Sequence, residues 1–310
     1  YMKFKDWAQD KEINLVKNDD YFGEKANIDG VRYLMNIDSS TSKMMLENGE
    51  LDFRKISSAE LDSYKENPIF KDNIVDSQRA GMDYISFNQK DPNMAKVEVR
   101  KAVSMAIDRD LINKTFYNGE GTIVNGVLPP GIPGYEVEQE KIEYNPEKAK
   151  EILEAAGCEM GDDGFYYRDG EKVGFVISVS AGDQVRIDMA QIAAQELKEI
   201  GMDVSVEIPA QTDWAGQMAF LIGWGSPFDA DDHTYKVFGT DKGANYSSYS
   251  NEDVDKYLTE ARQSDDPEVR KEAYANFQKA LAEDPAYAMI CYIDANYVAD
   301  SNIKGINPDT

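Results

Sequence analysis

The chain has very few of the residues that build metal sites and disulfide frameworks. Its 310 residues include two cysteines, Cys158 and Cys291, and a single histidine, His233. Two cysteines so far apart match neither the spacing of a zinc site nor a disulfide framework. We therefore expect two free, buried thiols, no metal site and no cofactor. A Ser-His-Asp triad would have to use His233, because the chain offers no other imidazole.

Long apolar runs and positive charge are also lacking. No stretch approaches the roughly 18–20 consecutive apolar residues of a membrane-spanning helix, and no signal peptide is recognisable. Because the chain begins within a pattern at Tyr1-Met2-Lys3-Phe4, that second absence says little about location. Its 58 acidic and 33 basic residues give a net charge of −25. This charge argues against nucleic acid as a partner; it provides solubility or a preference for cationic ligands.

The residues that are present predict a folded α/β protein. Hydrophobic residues make up 42% of the chain, enough for a core, and the length predicts about two domains of roughly 150 residues each. Apolar periodicity and capping residues alternate between strand and helix patterns. We predict helices at 39–47, 58–65, 96–108, 110–117, 146–156, 184–200 (the longest), 251–263 and 267–283, and strands at 3–7, 13–17, 31–36, 74–76, 83–87, 203–208, 219–222, 288–293 and 295–299. A hairpin is predicted from 165–167 and 173–179 about Asp169-Gly170.

The segment from 219 to 235 carries the most functional information. Four apolar residues predict a short buried strand, which runs directly into Gly223-Trp224-Gly225. Glycines beside an aromatic residue at a strand end allow another backbone to approach closely. A loop with several acidic residues follows, and loops commonly carry function. The pattern favours a site for something extended and polar, such as a peptide, without groups that would cleave it.

Short motifs in a fixed order identify a family. The chain resembles the C-terminal part of the family 5 extracytoplasmic solute-binding proteins, the oligopeptide, dipeptide and nickel receptors of ABC transporters. Each motif is weak alone, but a dozen in the right order form a specific pattern. They lie at residues 1–7, 18–23, 45–52, 87–88, 99–102, 106–109, 119, 129–130, 145–149, 197–201, 223–224 and 265–280.

The resemblance implies the type II (cluster C) periplasmic-binding-protein fold, an α/β architecture of two lobes. Residues 1–87 and 288–310 would belong to the first lobe, and residues 88–287 would form the second, ligand-binding lobe. The N-terminal portion of the first lobe and the accessory domain of the family would be missing. We therefore expect an unpaired sheet edge or a large apolar patch on this chain, and weak binding by the chain alone.

The resemblance also implies a receptor rather than an enzyme. It would capture peptides between two lobes and deliver them to the permease of an ABC importer. We expect a monomer outside the cytoplasm, in a periplasm or as a cell-surface lipoprotein of a Gram-positive bacterium, with the membrane contacted only through a lipid anchor absent from this sequence. Alternatives are a receptor for a metal chelate or other small solute, a peptide-signal receptor or chaperone without a transporter, and, least favoured, a hydrolase using paired carboxylates.

Six residues are candidate ligand contacts: Trp224, Gly225, Ser226, Asp229, Trp214 and Tyr84. Trp224 and Trp214 would line the cleft or else pack in the core. Peptide-binding members of the family place an aspartate, which pairs with the amino group of the peptide, at the position of Pro227. Asp229 would take over that contact, or the ligand is anchored differently. Asp231-Asp232-His233 reads as a solvated helix cap before residues 234–238, and residues 215–218 are shorter than the family's usual connection.

Overall fold

A computed structural model describes the protein at residues 1–119, 121–124, 126–128, 142–181, 183–211, 213–225 and 229–306. Nine α-helices and twelve strands occur in these residues. In chain order they are β1 (Met2–Ala8), β2 (Glu12–Lys17), β3 (Gly30–Leu34), α1 (Ser39–Glu47), β4 (Phe53–Ile56), α2 (Ser58–Glu66), β5 (Ile74–Phe87), α3 (Val97–Ala106), α4 (Arg109–Tyr117), α5 (Pro146–Ala155), β6 (Glu159–Met160), β7 (Tyr166–Arg168), β8 (Glu171–Lys172), β9 (Gly174–Val179), α6 (Gln184–Glu199), β10 (Asp203–Glu207), β11 (Ala219–Gly225), α7 (Ala230–Phe238), α8 (Glu252–Gln263), α9 (Pro267–Glu283) and β12 (Tyr287–Ala299).

The chain forms two compact units. The smaller comprises residues 1–56, 60–75 and 296–306, and the larger comprises residues 57–59 and the described residues from 76 to 295. The chain passes between the units within β5 and within β12. Two of the boundaries between the units therefore fall inside these strands. The assignment of two receptor lobes with those bounds stays a prediction.

The smaller unit contains an antiparallel sheet of β1, β2 and β3. Most residues of β1 and β3 are exposed, so this sheet carries apolar side chains in contact with water. Tyr1, Phe4, Trp7 and Tyr33 are each more than half exposed. The expectation of a large apolar patch stays a prediction.

The rest of the smaller unit is built around a small core. Leu46 of α1, Ile56 of β4, Tyr64 of α2 and Val298 of β12 belong to one buried cluster. The last residues of β12 pair antiparallel with β4. The buried guanidinium of Arg54 donates to Glu60 and to the hydroxyl of Tyr64, so the charge next to this core is compensated.

The larger unit is organised around a mixed sheet with the strand order β10-β9-β11-β5-β12. β9 is parallel to both β10 and β11, whereas β11 and β5 are antiparallel. Side chains alternate between two faces of a strand. Accordingly Ile85 and Phe87 of β5 lie in one apolar cluster, and Met82 and Tyr84 lie in another.

Helices cover both faces of this sheet. The first cluster joins Ile85 and Phe87 to α3, α4, α5 and α6, and the second joins Met82 and Tyr84 to α7, α8 and α9. The unit is therefore a three-layer α/β/α structure, as a sheet with two apolar faces requires. Both cysteines are free and buried, as expected, and no helix among the described residues is long and apolar enough to cross a membrane.

Several predicted elements have different bounds in the structure. Residues 74–87 and 287–299 are single strands, each predicted as two, because backbone pairing continues where the apolar pattern is interrupted. The predicted hairpin is also wrong in part: β7 turns at Asp169-Gly170 into β8, and β9 joins the large sheet instead. The longest helix is α9, at 17 residues, and not α6, at 16.

Buried charges connect α3 and α4 to their neighbours. The guanidinium of Arg100 donates to the backbone carbonyls of Met94 and Pro285 and pairs with Asp284. Glu196 of α6 is buried and accepts the backbone N–H of Asp108 at 3.1 Å. Burial, with the nearby Asp108 carboxylate, raises the pKa of Glu196 from 4.5 to about 7. This carboxyl therefore titrates near neutrality.

Replacing Glu196 with glutamine should remove a pH-dependent loss of stability. The unfolded chain releases this proton near pH 4.5 and the native state near pH 7, so stability falls as the pH rises through that interval. Ionising Glu196 costs the native state about 2 kcal/mol after allowance for partial solvent screening. Glu196→Gln should raise the thermal midpoint of the chain at pH 8 and change it little at pH 5. The exposed Glu199→Gln, one turn along, is the control; equal shifts at both pH values would contradict the assignment.

Candidate binding site

The C-terminal half of β11 has a partner strand on only one side among the described residues. β11 pairs with β5 along its whole length, from Ala219 opposite Phe87 to Gly225 opposite Gly81. Its pairing with β9 covers only residues 219–221. We call residues 222–225 the open edge. A strand edge of this kind presents backbone N–H and C=O groups with which another extended chain can pair.

The open edge exists because β9 ends earlier than β5. β9 stops at Val179, and the chain then enters α6, whose N-cap Asp183 accepts the backbone N–H of Arg186. β11 continues beyond this point because β5 still pairs with it. In α/β sheets, ligands commonly bind just outside the carboxyl ends of parallel strands. The position in the sheet beyond Val179 is such a place.

Trp224 lies on the face of the sheet covered by α7, α8 and α9. Its indole is half-buried and packs against that apolar cluster. The ammonium group of Lys236 lies 5.2 Å from the centre of the indole ring. The buried indole N–H has no hydrogen-bond acceptor within the described part of the chain. Trp224 thus combines a core contact with a partly accessible ring, and its role as a ligand contact stays a prediction.

Glycine residues keep the other face of the open edge free of side chains. Gly225, the last residue of β11, is exposed, and Gly223 is half-buried. Gly223 lies opposite Asp83 of β5. Asp83 is buried and pairs with Arg186 of α6 at 2.8 Å. A buried, paired carboxylate therefore lies beside the glycine on this face.

Trp214 is half-buried in an aromatic group near the start of β11. Its ring lies edge-on to Phe220 at 5.2 Å and 6.2 Å from Tyr246. The short connection that follows is held by Asn88, which donates its side-chain N–H to the carbonyl of Ala215 and its backbone N–H to the carbonyl of Met218. Phe220 and Trp224 point to the same face of β11, because they are an even number of residues apart.

Tyr84 is buried within the larger unit and does not present its ring to an open surface. It is 3% exposed and stacks on Tyr287 with ring centres 4.2 Å apart. Burial, followed by the interaction with Tyr287, raises the pKa of Tyr84 well above its ordinary value. Tyr84, one of the six candidate contacts, is therefore a core residue in this structure.

Asp229 has two structural partners. Its carboxylate caps α7 by accepting the backbone N–H of Asp231 at 2.7 Å. The same carboxylate accepts two hydrogen bonds from Arg270 of α9, at 2.9 and 3.1 Å. If Asp229 anchored a peptide, the amino group of the peptide would have to compete with this guanidinium for the carboxylate. Ser226 and Pro227, the other two positions discussed for this loop, lie outside the described residues.

The segment predicted as a solvated cap is the first turn of α7. The helix begins at Ala230, and His233 is fully buried inside it. Burial lowers the pKa of His233 to about 4, so the imidazole is neutral at physiological pH. No group of three or more His, Cys, Asp or Glu side chains in the described ranges is arranged to hold a metal ion.

Two charged residues of the site were not among the candidates. Asp232 and Lys236 form an ion pair of 2.5 Å on α7, four residues apart, with both side chains nearly half exposed. Opposite charges at this spacing are a recognisable pattern in a helix sequence. No local pattern connects that pair with Trp224, because the contact depends on how α7 packs on the sheet.

A cavity of about 530 Å³ lies elsewhere in the larger unit, with Ile107, Arg109 and Tyr144 in its wall. The guanidinium of Arg109 is engaged by the backbone carbonyls of Met289, Ser104 and Ile107. Burial lowers the pKa of this guanidinium to about 10, so it stays charged. Its role is to hold the α3–α4 corner to β12.

Substitution of Asp229 should separate its structural role from a ligand role. Asp229→Ala removes the cap and the ion pair and should lower the stability of the chain by about 1–2 kcal/mol. Asp229→Asn keeps a capping oxygen and should cost less than half as much. Thermal unfolding measures the stability of both variants. A binding loss in Asp229→Asn without any loss of stability in Asp229→Ala would show that the carboxylate serves a ligand instead.

Comparison with known proteins agrees with this architecture. Residues 3–247 match the middle region of the bacterial extracellular solute-binding proteins, family 5. The oligopeptide-binding protein AppA of Bacillus subtilis is 29% identical over 98% of this chain and 58% of its own length. The chain thus spans well under two thirds of this relative.

Two solved structures show the same fold. NikZ of Campylobacter jejuni, in complex with Ni(L-His), gives a TM-score of 0.88 at 28% identity, covering 98% of this chain and 63% of that protein. AppA of Bacillus subtilis, in complex with a nonapeptide, gives a TM-score of 0.86 at 27% identity, covering 99% of this chain and 64% of that protein. The predicted type II periplasmic-binding-protein fold is confirmed. The chain belongs to the family 5 bacterial extracellular solute-binding proteins, which are binding receptors and not enzymes.

Proposed function

We propose that this protein is the peptide-binding receptor of an ABC importer and that the open edge of β11 holds the main chain of the peptide. The open edge is the observation that carries the proposal. A buried peptide brings N–H and C=O groups that cost several kcal/mol each when they are left unpaired. A strand edge pairs with these groups whatever the side chains are, which suits a receptor for peptides of varied sequence.

The two faces of the open edge would treat alternate guest residues differently. Residues directly opposite each other in a sheet point to the same face. A guest residue opposite Trp224 would therefore meet the indole, whereas one opposite Gly223 or Gly225 would meet the face without side chains. Beyond Gly223 on that face lies the Asp83–Arg186 pair. We expect the guest position opposite Trp224 to accept few kinds of side chain, and the positions opposite Gly223 and Gly225 to accept many.

Within this proposal the candidate contacts are Trp224, Gly225, Ser226 and Trp214. Asp229 contributes mainly by fixing the start of α7, and Tyr84 by supporting the sheet from below. Residues 1–87 and 288–310 would form part of the first lobe, and residues 88–287 the second. Closure of two lobes around the ligand would shift an equilibrium between open and closed forms, and the permease would recognise the closed form.

The relatives support a location outside the cytoplasm. The matched family is described as bacterial and extracellular. We propose a monomeric receptor in a periplasm or on a cell surface, held at the membrane by a lipid anchor. A receptor of this kind needs the permease of an importer as its second partner.

A metal chelate is the second candidate ligand, because the similar NikZ was solved with Ni(L-His). A chelate brings its own donor atoms and needs few from the protein. Two observations favour the peptide: the open edge, and the burial of His233 away from the surface. AppA of Bacillus subtilis was solved in complex with a nonapeptide, which supports a peptide as the ligand.

Backbone methylation of the ligand tests the proposal. The probes are tetra-alanine and its single N-methyl derivatives, titrated by calorimetry into the protein produced from its complete gene. A methyl group on an amide that pairs with the open edge should weaken binding by about 1–3 kcal/mol, because one donor is lost and its acceptor is left unpaired. Methylation of an amide that points away should have little effect.

A protein variant gives the complementary measurement. Trp224→Ala should weaken tetra-alanine binding by about 1–3 kcal/mol if the indole lines the site. Met160→Ala, half exposed on the small β6–β8 sheet, is the matched control and should leave affinity unchanged.

Equal affinity for all methylated peptides would exclude main-chain pairing. Failure of every peptide to bind, with tight binding of the nickel–histidine chelate, would exclude the peptide proposal itself.

A further inference from the structure

The ring of Trp224 is already occupied by a cation that belongs to the protein. The ammonium nitrogen of Lys236 lies 5.2 Å from the centre of the indole ring. The same nitrogen lies 2.5 Å from Oδ1 of Asp232. An aromatic face together with a carboxylate is a good environment for a cation, since both the ring quadrupole and the negative charge attract it. Lys236 shows that this environment accepts an alkylammonium group.

The internal cation is held weakly enough to be displaced. The side chains of Lys236 and Asp232 are 44% and 46% exposed, so water screens their attraction. The lysine stem is flexible, and the ammonium group can return to water at small cost. A guest cation could therefore take the place of Lys236, but only in competition with it.

The geometry of the open edge would bring a guest side chain to this place. Ile222 and Trp224 pack against the apolar cluster of α7, α8 and α9, whereas Ala219 and Leu221 belong to the opposite cluster. A guest residue paired opposite Trp224 points to the same face as the indole, with Cβ atoms about 4.5–5.5 Å apart. The side chain of that guest residue would thus extend toward Trp224, Lys236 and Asp232.

We propose that Lys236 is a specificity-determining residue, which occupies the site formed by the indole of Trp224 and the carboxylate of Asp232 and so discriminates against a guest with lysine or arginine opposite Trp224. This inference rests on the proposed pairing of a peptide with the open edge. It goes further because it assigns a preference to one guest position. Removing the Lys236 ammonium converts the same surface into a site that favours a cationic guest side chain.

The test compares Lys236→Met with the wild-type protein, each produced from its complete gene. Methionine retains an unbranched apolar stem and lacks the charge. The probes are tetra-alanine and four derivatives with a single lysine, together with the same four derivatives carrying norleucine, which has the length of lysine without its charge. At one position, the lysine peptide should gain about three- to tenfold in affinity over tetra-alanine when Lys236 is replaced. The norleucine peptide should gain less than twofold.

Two further variants check the cause. Lys236→Arg keeps a cation over the indole and should preserve the wild-type discrimination. Adding Asp232→Asn to Lys236→Met removes the carboxylate and should abolish most of the gain for the lysine peptide. Circular dichroism and thermal unfolding establish that each variant is folded.

The outcomes separate this inference from the function on which it rests. If tetra-alanine binds but lysine gains nothing at any position in Lys236→Met, the specificity proposal is wrong and the peptide proposal stands. Equal gains for lysine and norleucine would mean that the substitution only opens space, which also overturns it. If none of the peptides binds the wild-type protein or Lys236→Met, the peptide function itself fails.

Discussion

The candidate site depends on a difference in strand length within one sheet. β5 and β11 pair from Ala219 to Gly225, whereas β9 accompanies β11 only as far as Leu221. The backbone of the last four residues of β11 is therefore fixed on one side by β5 and open on the other among the described residues. A preformed, rigid edge of this kind loses little conformational entropy when a second strand pairs with it. The aromatic and charged side chains around it determine which guest is favoured.

The larger unit supports this edge with polar contacts on both faces. On one face the Asp83–Arg186 pair lies beside Gly223. On the other face Asp229 caps α7 and pairs with Arg270 of α9. This cap fixes the start of the helix that carries Asp232 and Lys236. The position of Lys236 over Trp224 is therefore a consequence of how α7 is anchored.

Much of the fold follows from local patterns in the sequence. The helices predicted to start at residues 146 and 267 begin there in the structure, where Asn145 and Asp266 cap them. The sequence could not show that β5 and β12 are each continuous, since long-range pairing and not apolar periodicity extends them. The prediction also gave β9 the wrong partner strand. It was expected to form a hairpin with β7, whereas its parallel pairing with β10 depends on the intervening α6. The Gly223-Trp224-Gly225 pattern identified the strand that carries the open edge. The burial of Tyr84 and the contact between Lys236 and Trp224 could not be predicted in this way. Such contacts between distant segments have no local signature.

Hydrogen exchange of the backbone amides in residues 222–225 tests the central claim most directly. Amides of a strand point alternately to its two sides, so those directed at β5 should exchange slowly in all conditions. Those directed away should exchange quickly in the protein produced from its complete gene and become protected when tetra-alanine is added. Protection of all four amides without ligand, or unchanged exchange at saturating peptide, would contradict the account.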